Sequence, residues 1–229
     1  MPGSSFGDLN RAQELSEALS IIREKFPWEG PRLGKDPFFG LLGVVLSQHT
    51  SDRMAEAAEK NLEAKYPSIE KLAAASCEEL AKIIRPAGMQ NQKACTIQRL
   101  AWLELQRSFT TWARSVSWQD ARALLVSVEG VGEKTADVFC MVYLDAPVVP
   151  VDVHVRRVSM RLGMTSSSSY ASVQRAIHAL VPSDLRKQMH LSMIRFGREI
   201  CTSRAPKCST CPVNAYCDYY TQNVLPSQA

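Results

Sequence analysis

The sequence predicts an all-α protein on three observations: apolar residues recur at helical spacing in segment after segment, strand-like alternation is scarce, and a capping signal precedes one of the apolar runs. Leu15, Leu19, Ile22 and Phe26 step by four, three and four, which draws one apolar stripe along a helix over residues 9–26 that Pro27 ends. The same periodicity predicts helices over 37–48, 52–66 and 68–75. Ser76-Cys77-Glu78-Glu79 then reads as a capping box, with Ser76 accepting from first-turn amides and Glu79 reaching back, and opens a helix over 77–85. Helices over 92–106, 118–126, 134–144, 154–162, 170–181 and 185–196 complete the series. Only 148–151 reads as extended, and Pro147 and Pro150 suit a linker better than a central strand. The serine run at 166–169 is expected as a loop, and the crossing at 146–151 as the internal boundary.

The chain has 229 residues, long enough for one large or two small domains with a sizeable core. Its balance of 45% apolar and 22% charged residues excludes collagen-like and disordered classes. No apolar run reaches the roughly 18 residues of a membrane span, and Met1-Pro2-Gly3-Ser4-Ser5 lacks a basic stretch followed by an apolar one. A protein that neither spans a membrane nor is exported is expected. The net charge of +4 is uneven, with ten Lys/Arg against four Asp/Glu after residue 147 and 17 against 19 before it. A basic last third is compatible with a polyanionic partner, although charge alone points there only weakly.

Seven cysteines without a secretion signal argue against a disulfide framework and for a reducing compartment. Cys77, Cys95 and Cys140, scattered through helical sequence, read as buried apolar residues. Cys201, Cys208, Cys211 and Cys217 are different: a Cys-x2-Cys pair between arms of six and five residues offers four thiolates to one centre. Such a set surrounds one tetrahedral zinc or the irons of a cubane cluster, and the spacing favours iron–sulfur only moderately.

Residues 119–145 read as a helix, a short turn with Gly130 and Gly132, and a second helix. The two glycines permit a tight turn, and the helix start that follows offers unpaired N–H groups to a phosphate oxygen, a sequence-independent grip on DNA. Lys134 falls in the first turn of the second helix, where the macrodipole disfavours an ammonium and favours a nucleophilic amine, although on local sequence a surface lysine beside Glu133 is the simpler reading. Asp152, after the extended linker, is either an ordinary N-cap or a carboxylate placed to stabilise positive charge on a sugar as its base departs.

Taken together, Gly130-Val131-Gly132-Glu133-Lys134-Thr135-Ala136, Val151-Asp152-Val153-His154 and the four-cysteine loop, in that order and at those distances, resemble the endonuclease III branch of the helix-hairpin-helix DNA glycosylase superfamily. The resemblance runs from about residue 38 to residue 217 and takes in Leu46-Ser47-Gln48-His49-Thr50-Ser51-Asp52 and Gly88-Met89-Gln90-Asn91-Gln92-Lys93-Ala94, which look like the family's two DNA-probing loops. It implies a two-domain fold: a six-helix barrel over 36–147, and a cluster domain built from 9–35 with 148–225, DNA lying in the cleft between them. The first eight residues are expected to be flexible.

The resemblance further implies a 4Fe-4S cluster on Cys201, Cys208, Cys211 and Cys217, with Lys134 as nucleophile and Asp152 as catalytic carboxylate. A flipped damaged base, an oxidised pyrimidine, would be displaced by Lys134, and a Schiff base would permit β-elimination that nicks the strand. Gln48 or His49 and Met89 would fill the gap left in the duplex. Gly130, Gly132, His154, Arg198, Arg204 and Lys207 would contact the DNA, the last three at phosphates. The expected partner is double-stranded DNA carrying a damaged base or abasic site, bound by a monomer in a prokaryotic cytoplasm.

Four positions carry the departures from the family pattern. Glu129 and Glu133 put acids beside the phosphate-binding turn, Val153 replaces the usual threonine, and His49 stands where an ungapped match puts an intercalating glutamine. Rival readings are the mismatch-specific glycosylase branches, against which Lys134 argues, a non-catalytic DNA-binding module with a structural metal, and a zinc hydrolase, which four thiolates disfavour because they leave no open coordination position.

Overall fold

A computed structural model describes residues 6–30 and 36–225, with side-chain surroundings from residue 9. The helices are α1 (Phe6–Lys25), α2 (Pro37–Leu46), α3 (Asp52–Lys65), α4 (Ile69–Ala74), α5 (Cys77–Ile83), α6 (Gln90–Arg107), α7 (Phe109–Trp112), α8 (Trp118–Ser127), α9 (Glu133–Tyr143), α10 (Val153–Leu162), α11 (Tyr170–Leu180), α12 (Arg186–Glu199) and α13 (Asp218–Asn223). Among the described residues there is no strand, and no helix is long and apolar enough to cross a membrane. The flexible stretch expected for residues 1–8 is helical from Phe6; residues 1–5 lie outside the described residues. Pro86 shortens the helix expected over 77–85, since its ring and missing N–H end α5 in a single 3-10 turn at Arg85–Ala87. The short α7 and α13 have too few turns for periodicity to announce them.

The chain forms two compact units, residues 31–146 and residues 1–30 with 147–229. In the first, α2 is buried on nearly every side, as its unbroken apolar sequence requires. Asp36 caps it by accepting from Phe39 N, and Pro37 starts it without losing a hydrogen bond. It packs on α3 and α9, close enough that a Cβ at Gly40 would overlap the Tyr143 hydroxyl. Helix α6 packs on α4 and α5, and the Ser76–Glu79 capping box forms as the sequence predicts.

That packing corrects one expectation. The first residue of α5 lies opposite the second turn of α6, and Cys77 and Cys95 are joined by a disulfide with Cα atoms 5.1 Å apart, half-buried instead of being separate core thiols. Cys140 does behave as a core residue: it is fully buried, and burial pushes its thiol up to about 12.

In the second unit the predicted stripe of Leu15, Leu19, Ile22 and Phe26 is buried with Val155 and Val158 of α10, Val173 and Ile177 of α11, and Met193 and Phe196 of α12. The extended segment before α10 is buried too, and its backbone is satisfied by side chains instead of a neighbouring strand. Val149 N donates to His178 Nε2 (3.0 Å), Gln174 Nε2 to Val149 O (3.0 Å), and Val151 N to Tyr170 Oη (3.2 Å). Arg186 Nη1 donates to Pro147 O (2.7 Å), which ties Pro147 to this unit. The direction in which the chain enters Asp152 is thereby fixed from α11 and α12.

Candidate active site

In the first unit α8 and α9 form a helical hairpin whose turn rests on α6. Gly130 has φ +93°, and a Cβ there would lie 1.9 Å from Thr96 Oγ1, so both the backbone and the space require glycine. Arg99 pairs with the Glu129 carboxylate at 2.7 Å, and Arg122 Nη2 donates to Glu133 Oε1 at 3.2 Å. Each acid that departs from the family pattern is therefore answered by an arginine. Both acids are exposed, so the pairs add little stability, but they offset the negative charge beside the turn.

Gly132 differs from Gly130. Its φ is −88°, it precedes α9 as the N-cap residue, and a Cβ added there would meet nothing within 4 Å. Gly130→Ala is expected to lower the unfolding free energy by about 2 kcal/mol through strain and overlap, whereas Gly132→Ala stays within about 0.5 kcal/mol. Urea unfolding checks both, and equal losses would remove the distinction.

Lys134 is half-buried, in the first turn of α9. Its neighbour Thr135 is buried, and Thr135 Oγ1 accepts from Gln48 Nε2 at 2.9 Å, so the loop after α2 is tied to the helix start that carries Lys134. His49, the next residue, is exposed in the left-handed region at φ 52°. Met89 is 47% exposed, also left-handed at φ 47°, and immediately precedes α6. Both loops thus end in a strained, exposed side chain.

Asp152 belongs to the second unit and caps α10: Oδ1 accepts from His154 N (2.9 Å) and Val155 N (2.8 Å). The cap uses one carboxylate oxygen. His154 Nδ1 lies 3.0 Å from Arg157 Nη2, and burial holds the imidazole below its ordinary range, with Arg157 and Arg198 adding to the effect and Asp152 opposing it. Arg157 also donates to Cys201 O (2.8 Å) and Gly197 O (2.8 Å). One turn on, Arg161 donates to Thr202 O (2.7 Å), Ser203 O (3.1 Å) and Cys201 Sγ (3.3 Å) and covers the Tyr219 ring. Two arginines on one face of α10 therefore pin the start of the six-residue arm. Arg204 and Lys207 are exposed on that arm, and Arg198 is exposed over the Trp28 ring.

The four cysteines of the loop are not in disulfides and line one cavity, with Val158, Phe196, Ile200 and Val213 supplying apolar wall. Burial pushes the Cys211 thiol up to about 11 and raises Cys208 and Cys217. Four soft donors around one apolar-walled space fit an iron–sulfur cluster, and Arg161 Nη1 at Cys201 Sγ supplies the kind of outer N–H donor such sulfurs accept.

Sequence reasoning does not find Arg99, Arg122, Thr135, Arg157 or Arg161. The spacing of Arg157 and Arg161, four residues apart on one helix, is the one available signal.

A family model described as HhH-GPD superfamily base excision DNA repair protein matches residues 42–183. The chain belongs to this superfamily. Within HhH-GPD, the iron-sulfur binding domain of endonuclease III matches residues 201–217, and the chain carries that branch's 4Fe-4S cofactor. The chain is similar to endonuclease III of Thermotoga maritima, 35% identical over 90% of this chain and 93% of that protein. To the Bacillus subtilis endonuclease III it is 31% identical over 90% and 92%. Among solved structures of HhH-GPD proteins, a trapped endonuclease III–DNA covalent intermediate is 30% identical with a TM-score of 0.80, over 92% of this chain and 97% of that one. A thermostable thymine-DNA glycosylase shares the fold at 20% identity and a TM-score of 0.74, over 93% and 97%.

Proposed function

We propose that the chain removes oxidised pyrimidines from duplex DNA and cuts the strand at the resulting abasic site, with Lys134 as nucleophile and Asp152 as catalytic carboxylate. The observation that carries the reading is a half-buried lysine in the first turn of α9, directly after a glycine turn that only glycine can make and beside a threonine bonded to Gln48. Backbone N–H groups at that helix start suit a phosphate, and the amine that follows suits an electrophilic sugar carbon.

In this reaction the base is turned out of the stack, because C1′ is shielded while the base is paired. The Lys134 amine forms a bond to C1′ as the bond from C1′ to the base breaks, and the base leaves with the electron pair. Asp152 stabilises the positive charge that develops on the sugar through its carboxylate. Opening of the sugar ring gives a Schiff base between Lys134 and C1′. Loss of a C2′ proton then expels the 3′ phosphate by β-elimination, and hydrolysis of the Schiff base frees the lysine. Gln48 or His49, together with Met89, occupies the space the base vacates, while Gly130, Gly132, His154, Arg198, Arg204 and Lys207 hold the backbone. Cys201, Cys208, Cys211 and Cys217 hold the 4Fe-4S cluster, which when bound supplies a fixed anchor for the arm bearing Arg204 and Lys207.

Borohydride trapping on two duplexes, one with an oxidised pyrimidine and one with an abasic site, tests the reading. Wild type forms a covalent adduct on both, and Lys134→Ala loses trapping by at least about 10³-fold. Trapping on the abasic duplex alone removes the lesion class, and adduct surviving in Lys134→Ala removes the lysine.

A further inference from the structure

We propose that Lys93 is a positioning residue whose single buried ammonium holds the loops bearing Gln48, His49 and Met89 in the shape that enters DNA, an inference that rests on the proposed reading of those loops. Lys93 lies in α6 with 2% of its surface exposed. Its Nζ donates to Leu46 O (2.9 Å), Gln48 O (2.6 Å) and Ala87 O (2.8 Å), so all three ammonium protons are used on three backbone carbonyls.

Each acceptor sits where the backbone needs a partner. Leu46 ends α2, whose last carbonyls have no partner within the helix and form the negative end of its dipole. Gln48 O belongs to the peptide that leads into His49, and Ala87 O to the peptide that leads into Gly88 and then Met89. His49 (φ 52°), Gly88 (φ 65°) and Met89 (φ 47°) are all left-handed. A residue with a Cβ keeps that conformation only where its surroundings over-determine it. One amine therefore clamps both loops at the residues just before their strained tips, and fixes the spacing of the tips relative to each other.

A lysine that served stability alone would affect every reaction of the folded protein equally. A positioning lysine affects only DNA whose stack must be opened and refilled. Lys93→Met keeps the volume of the stem and removes the donors; Lys93→Gln keeps two donors on a shorter side chain. Both are assayed as cluster-loaded full-length protein, with folding checked by circular dichroism and visible absorbance.

The first readout is the rate of borohydride trapping on an abasic site in single-stranded and in duplex DNA. The second is fluorescence of 2-aminopurine opposite an uncleavable abasic analogue at saturating protein, which reports displacement of the opposite base without any chemistry. For Lys93→Met the duplex rate is expected to fall by about tenfold to a hundredfold with the single-strand rate within about twofold of wild type and the fluorescence rise lost. Lys93→Gln is expected to fall between, and it carries the same comparison if the methionine variant does not fold.

Equal losses on both DNAs, or wild-type behaviour on both, would overturn the proposal. A wild type that traps on neither DNA sinks the lysine chemistry instead, and the fluorescence comparison still decides the loops. No fluorescence rise in wild type removes the loop assignment and the proposal with it.

Discussion

Asp152→Asn is expected to lower single-turnover base excision by at least about 10²-fold while leaving the urea midpoint where it is in wild type. The geometry shows one of the two roles that the sequence leaves open for this aspartate, and the asparagine variant isolates the other. Oδ1 accepts from His154 N and Val155 N and so starts α10. Asparagine offers an oxygen in the same place and is an equally good N-cap. What it lacks is the charge, and a neutral amide stabilises a developing cation on the sugar far less than a carboxylate does. Asp152→Ala would remove both roles and adds about 1 kcal/mol of lost stability, so it serves as the comparison and not as the test. An asparagine variant that excises at the wild-type rate would leave Asp152 as a cap and nothing more.

What the sequence makes legible is what depends on local pattern. The stripe from Leu15 to Phe26 is buried where periodicity puts it, the Ser76 capping box forms, and the four clustered cysteines share one cavity. These signals are short-range: helical spacing, a three-residue cap, a run of thiols. The residues that sequence reasoning misses act across long sequence separations on groups that carry no side-chain signature.

In the sequence Lys93 is one residue of the second probing loop with no role of its own, and only the fold shows that its acceptors are backbone carbonyls from two loops. The pairing of Cys77 with Cys95 depends on the register of α5 against α6, which no pattern within either helix sets. The extended segment before Asp152 reads as a linker because two prolines exclude a central strand. Its burial depends on His178, Gln174 and Tyr170 of α11, whose side chains replace the missing ladder. Glu129 and Glu133 read as unfavourable for phosphate because Arg99 and Arg122, which answer them, lie on other helices.

Arg122→Met is expected to give the largest loss of stability, about 3 kcal/mol from the unit that carries it. Arg122 Nε donates to Oδ1 of Asp137, a residue with no exposed surface, and its Nη2 reaches Glu133. The guanidinium therefore joins α8 to both the first and the second turn of α9, the helices of the hairpin. Removing it takes a cation from a carboxylate that water does not reach, so the penalty exceeds that of a surface pair. Arg122 keeps 24% of its side chain exposed, which places the expected loss at the low end for buried pairs.

The double variant Arg122→Met, Asp137→Leu tests this cause directly: with the buried carboxylate gone as well as its arginine, most of the stability should return. Urea unfolding of the two single variants and the double variant gives the coupling, and a double variant as unstable as the sum of the singles would mean that packing, not the charge pair, fixes the hairpin. Activity provides the second measure. Lys134 lies three residues before Asp137 on α9, so a hairpin that loses its tie should lose abasic-site trapping in the folded Arg122→Met protein and recover it in the double variant.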